Sequence, residues 1–169
     1  MTDAPIVVVR GEAFREVPPE TARFTVTVSA RDRDRVVVLN RLAERVAAVR
    51  DLIDAHGAAV ERRETGQLWV RPEVRGSAER VAAYSGSATT TVTVVDFAVL
   101  GELMLRLAGQ ERTDVSGPWW QLRPGSPVHR EARQAAVADA VRRAREYAAA
   151  LGAEVTALRR LSDSGPAAR

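Results

Sequence analysis

Phe24-Thr25-Val26-Thr27-Val28-Ser29-Ala30 alternates apolar with small polar residues without a break. The same period recurs further on, with Ala88, Thr90, Val92 and Val94 in one phase and Thr89, Thr91 and Thr93 in the other. A period of two sends successive side chains to opposite faces of a sheet, so each stretch offers one apolar face to a core and one hydroxyl-bearing face elsewhere. These two runs are the centre of the expected fold.

Working outward, valine-rich residues 6–16 read as a preceding strand, broken from the next by Pro18-Pro19. After the first alternating strand, Asp32 or Asp34 can cap a helix in which Leu39, Leu42, Val46, Val49 and Ile53 recur at spacings of three and four, ended by Gly57. Residues 60–75 and 80–95 form two long strand-like runs about Gly76-Ser77. Asp96 then caps a second helix whose stripe is Phe97, Leu100, Leu103, Met104 and Leu107, followed by Gly109.

A strand over 113–123 comes next. Ser126 and Pro127 supply the cap and first-turn proline of a helix of about 25 residues running to Leu151-Gly152. Its expected buried stripe is Val137, Val141, Ala144, Ala148 and Leu151, and residues 153–162 read as a closing strand.

The order ββα-ββα-βαβ excludes a doubly wound parallel sheet, because a hairpin precedes each of the first two helices. The fold class is therefore α+β: a mostly antiparallel sheet of about six strands with three helices on one face. The 169 residues fit one domain over 1–162, with a small, polar and flexible tail over 163–169.

Composition excludes several kinds of chemistry. With no cysteine, there are no disulfides, thiol nucleophiles, iron–sulfur clusters or cysteine-based zinc sites, and two histidines, His56 and His129, leave little for other metals. No cofactor is implied. A pI of about 10.4 suggests a polyanion partner, yet the net charge is only +3. Every Lys/Arg position is arginine, which stays protonated past about pH 12, so a small excess of arginine suffices for the high pI. The arginine doublets lie among Glu and Asp, as on a solvated mixed-charge surface, which argues against nucleic acid. No stretch is apolar enough for a membrane span and no export signal is visible, so a cytoplasmic location is expected.

No catalytic residues can be assigned. Ser85-Gly86-Ser87 lacks the elbow that projects a nucleophile, and His56 sits beside Gly57 at a helix end, where position alone explains it. Asp32-Arg33-Asp34 lacks the glycine and distal glutamate of a calcium loop. One anion site is conceivable at the helix start after Arg123-Pro124-Gly125-Ser126-Pro127, formed by Arg123, Ser126, His129 and Arg130.

The aromatic residues say more. Trp119 and Trp120 are adjacent in a strand, so their rings point to opposite faces. If Trp120 and Leu122 face the helix layer, Trp119 lies on the open face, which Trp69 shares. Trp69, Tyr84 and Trp119 are the candidate anchors of an interface.

The whole pattern resembles the SIMPL-domain family, known also through its YggE-like and outer-membrane 26/28-kDa antigen-like members. The likeness runs through Val9-Arg10-Gly11-Glu12, Pro19-Glu20 and Ala22, then Asn40, Leu42, Gly57, Thr65 and Tyr84. Val92-Thr93-Val94, Asp96 and Leu100-Gly101 continue it. Its most specific part is Glu131-Ala132 with Ala136-Val137-Ala138-Asp139-Ala140, Arg145 and Ala148 to Gly152. The resemblance implies an α+β domain without an assigned biochemical activity. It is associated with envelope or stress phenotypes in bacteria and with a signalling-kinase partner in animals, and some members assemble into large rings. Most bacterial relatives are exported. The reading that follows is a non-enzymatic interaction or oligomerisation domain, forming a homo-oligomer or binding a protein partner. A small-anion or ligand-binding protein, or an enzyme, with its site at 123–130 is the alternative.

Overall fold

The computed structural model describes residues 5–75 and 80–163. Its elements are β1 (Thr21–Asp32), α1 (Arg35–Asp54), a 3-10 turn (Gly57–Ala59), β2 (Val60–Arg75), β3 (Arg80–Val94), α2 (Phe97–Ala108), β4 (Thr113–Gln121) and α3 (Pro127–Ala150). Pro18–Pro124 forms one compact unit; residues 5–17 and 125–163 form the other.

The larger unit has the order βαββαβ and one sheet ordered β2-β3-β1-β4, with every neighbouring pair antiparallel. This is the split βαβ arrangement of ferredoxin-like domains. The alternation of β1 is realised as read. Ala22, Phe24, Val26, Val28 and Ala30 are buried, while Thr25, Thr27 and Ser29 occupy the other face. On β3, Ala88, Val92 and Val94 join the same core.

Both helices of this unit close over the apolar face. Asp34 is the cap of α1, its Oδ1 accepting from Val36 N at 2.8 Å, while Asp32 accepts from Asp34 N at 3.1 Å. Val38, Leu42, Val49 and Ile53 are buried, with Val46 packed beside them; Leu39 stays exposed, so the stripe begins one residue earlier than expected. Asp96 caps α2 as expected, accepting from Ala98 N at 2.9 Å, and Leu100, Leu103 and Leu107 enter the core. The Leu42 side chain settles over Gly86: a Cβ there would lie 2.8 Å from Leu42 Cδ1 and 3.0 Å from Trp69 O. The helix approaches the sheet closely because this strand position carries no side chain.

Several expectations need correction. Among the described residues the sheet has four strands, not about six, and the element order is βαββαβα, not ββα-ββα-βαβ. Residues 6–16 form no strand. Arg143 Nη1 donates to Arg10 O at 2.8 Å, and Glu12 N donates to Asp139 Oδ2 at 3.1 Å, so the backbone of 10–12 meets α3 side chains in place of a ladder. Residues 153–162 are also without strand structure and are exposed. Their alternation is interrupted by the Arg159-Arg160 pair, which puts a charge in both phases.

α1 and α2 pack on the sheet within the larger unit, while α3 belongs with the N-terminal segment to the other unit. Ala148 is the buried residue of α3, and Val137, Val141 and Leu151 of the expected stripe are exposed. The Gly76-Ser77 turn and residues 164–169 of the expected tail lie outside the described residues.

Candidate interaction face

The hydroxyl face of the sheet, turned away from α1 and α2, is built by the second phase of its two central strands. Register sets Thr25 opposite Thr91, Thr27 opposite Thr89 and Ser29 opposite Ser87. The Thr27 and Thr89 hydroxyls stand 3.4 Å apart. Ser85 and Ser87, flanking Gly86, belong to this face and have no histidine as a register neighbour.

Aromatic rings occupy the two edge strands. Trp69 on β2 lies opposite Ser87, and Trp119 on β4 lies opposite Arg23, which places both on the hydroxyl face. Arg71 stacks on the Trp69 ring, its guanidinium carbon 4.4 Å from the centroid, an arrangement that holds the cation over the indole's negative face. Beside it Arg31 Nη2 and Glu73 Oε2 pair at 2.8 Å, and that hydrogen-bonded guanidinium holds the Glu73 carboxyl below its usual range. Trp119 is 48% exposed.

The side on which each tandem indole lands is decided by a bulge. Arg23 pairs with Trp119 and Thr25 with Ser116, so Gly117 and Pro118 together oppose Phe24. The extra residue shifts the phase, turning Trp119 to the hydroxyl face and Trp120 to the helix-covered face opposite Ala22. Gly117 has φ +123° and precedes a cis proline. A Cβ on it would meet Phe24 Cβ at 2.9 Å and Arg23 O at 3.1 Å, so only glycine fits. Trp120 meets Phe97 of α2, on the helix side that the sequence leaves open to it, yet remains 53% exposed because β4 is an edge strand.

Tyr84 does not join Trp69 and Trp119. It pairs with Asp32 and Pro72 in the opposite phase and packs against the core under the helices. The residues read as an anion site are also placed apart in role. The Arg123 guanidinium donates to Glu61 Oε1 from Nη2 at 2.9 Å, and its backbone N–H donates to Glu20 at 2.8 Å. Ser126, buried, caps α3 through Val128 N at 3.4 Å, while His129 and Arg130 are exposed in its first turn. His56 Nδ1 contacts Leu52 O at 2.9 Å at the end of α1, a local helix-end bond. Among the described residues no group of three or more His, Asp or Glu side chains is placed to hold a metal ion, and no helix is long and apolar enough to cross a membrane.

Reasoning from sequence alone missed Arg23, Arg71 and the bulge. The bulge had a readable signal in Gly117-Pro118 within a strand, since that dipeptide rarely continues a regular ladder.

Fold and site together define an α+β domain, a four-stranded antiparallel sheet with helices on one face and a hydroxyl-rich, tryptophan-flanked face on the other. The chain belongs to the SIMPL family, proteins of unknown function (DUF541), whose model matches residues 7–169. No curated protein matches it. Among solved structures it is similar to a hydantoinase/carbamoylase family amidase from Burkholderia ambifaria, at 13% identity and TM-score 0.35, over 62% of this chain and 29% of that one. It is also similar to a putative amidohydrolase/peptidase from Burkholderia cenocepacia, at 18% identity and TM-score 0.36, over 79% of this chain and 33% of that one. The chain thus spans a third or less of either protein, and likeness of this degree carries nothing about activity.

Proposed function

We propose that this chain is a non-enzymatic interaction domain that self-associates through the hydroxyl face of its sheet. The observation that supports the reading is Trp119, a large ring 48% exposed on a face that, Trp69 apart, is built largely of threonine, serine and charged residues. Exposed aromatic rings on such a surface are what interfaces are enriched in, and they dominate binding energy when a partner covers them. The small-anion reading at 123–130 draws less support, because the Arg123 guanidinium is engaged by Glu61.

Light scattering across a concentration series tests the proposal. Self-association that rises with concentration and is weakened by Trp119→Asp is the expected result. A strict monomer at high micromolar concentration, unchanged by that substitution, overturns it.

A further inference from the structure

The two indoles of the hydroxyl face sit at diagonally opposite corners. Trp69 is aligned through Ser87 with Ser29, and Trp119 is aligned with Arg23, on strands at opposite edges of the sheet. Strand spacing and rise place them about 20 Å apart along the strands and about 14 Å across, so about 25 Å in all. The midpoint falls on the Thr25–Thr91 and Thr27–Thr89 pairs, where no large side chain stands.

Both edges are poorly suited to accept another strand. On β4, Pro118 lacks an N–H and the bulge at Gly117 interrupts the ladder; on β2, Pro72, a register shift between Thr65 and Leu68, and Glu61, Arg62, Arg63, Glu64, Arg71 and Glu73 do the same. Contact through the face remains. Four strands by the length from Arg23 to Arg31 give a footprint of about 500 Å² per copy, so a pair buries about 1,000 Å², the lower limit of specific interfaces.

We propose that a second copy of this chain seats on the hydroxyl face about a twofold axis that brings Trp69 of each copy onto Trp119 of the other. This rests on the self-association reading above and specifies its geometry. A twofold axis between the faces, perpendicular to the line joining the indoles, makes two equivalent aromatic contacts at once. It crosses the strands of the two sheets at about 70°, near the orthogonal class of sheet packing. The other diagonal axis would set each indole on its own counterpart, with Arg71 against Arg71 and Arg23 against Arg23. In the crossed arrangement Arg71 falls outside the edge of the opposing β4.

The absence of cysteine makes a clean test available. Trp69→Cys and Trp119→Cys variants, one carrying an affinity tag, are mixed and treated with a short bismaleimide, with circular dichroism confirming that each is folded. Mixing sets the two cysteines together while leaving the second Trp69–Trp119 contact intact. The expected result is a cross-linked product of the two different variants about tenfold in excess of either self-linked product, abolished by Thr27→Arg at the centre of the face. If the native chain associates but each variant links to itself, or the mixture links no better than either alone, the pairing is overturned and face association stands. A native chain that stays monomeric overturns both.

Discussion

The Phe97 ring, in the first turn of α2, meets the Trp120 indole edge to face, with centroids 5.0 Å apart and planes at 81°. The pair ties the start of one helix to the end of the edge strand that follows it. Edge-to-face pairs contribute about 0.5–1.5 kcal/mol beyond area burial, and a half-exposed indole loses only part of its transfer energy on truncation. Trp120→Ala is expected to destabilise the fold by about 1–2 kcal/mol in urea unfolding, with a coupling to Phe97→Ala of about 1 kcal/mol in a double-mutant cycle.

Gly117→Ala is expected to be more damaging despite adding one methyl group. The position combines φ +123° with a contact of 2.9 Å to Phe24 Cβ, so the new side chain meets both backbone strain and a buried neighbour. A loss of about 2–3 kcal/mol is expected, together with a changed near-ultraviolet dichroism as Trp119 and Trp120 move.

Gly86→Val tests the close approach of α1. Leu42 Cδ1 and Val70 Cγ2 would lie 2.8 and 2.9 Å from the first added carbon, and the remaining methyls have nowhere to go. Overpacking of this kind destabilises by about 1–3 kcal/mol. A fall in thermal midpoint smaller than that of a surface substitution on α1 would refute the placement of Leu42 over β3.

Acid sensitivity follows from the carboxylates held down by specific partners. Asp32 accepts the Asp34 N–H, Asp54 the Arg63 guanidinium, Glu73 the Arg31 guanidinium and Asp139 the Glu12 N–H, and each carboxyl is lowered from its usual range. A folded-state pKa below the unfolded value means stability that is full above the unfolded pKa, about 4, and is lost as pH falls through the folded one. The urea midpoint should therefore be flat from pH 7 to about 5 and fall below about 4. Glu73→Gln should flatten part of that acid limb; an unchanged limb counts against the Arg31–Glu73 bond.

The central strands, the Asp96 cap and most of the apolar stripes of α1 and α2 were legible in the sequence, because period-two and period-3.6 patterns are local, whereas the cap of α1 stayed open between Asp32 and Asp34 and Leu39 of its stripe is exposed. The strand count was not. Residues 6–16 have strand-like composition, but a strand exists only where another offers a ladder, and that partnership is not encoded within the segment. The opposite orientation of Trp119 and Trp120 followed from adjacency, whereas their exposure did not, since it depends on β4 being the outermost strand. Tyr84 was grouped with the tryptophans by type; its phase on β3 puts it under the helices.

The surplus residue at Gly117-Pro118 acts as a parity switch for everything that follows it in β4. Straightening the bulge without shortening the chain would exchange the addresses of the tandem indoles, sending Trp119 towards Phe97 and Trp120 out among the hydroxyls, whereas deleting one of the two residues would leave Trp119 opposite Arg23. A related chain that keeps both residues but pairs them in a regular ladder would have to carry its outward-facing ring at the neighbouring position to present the same surface.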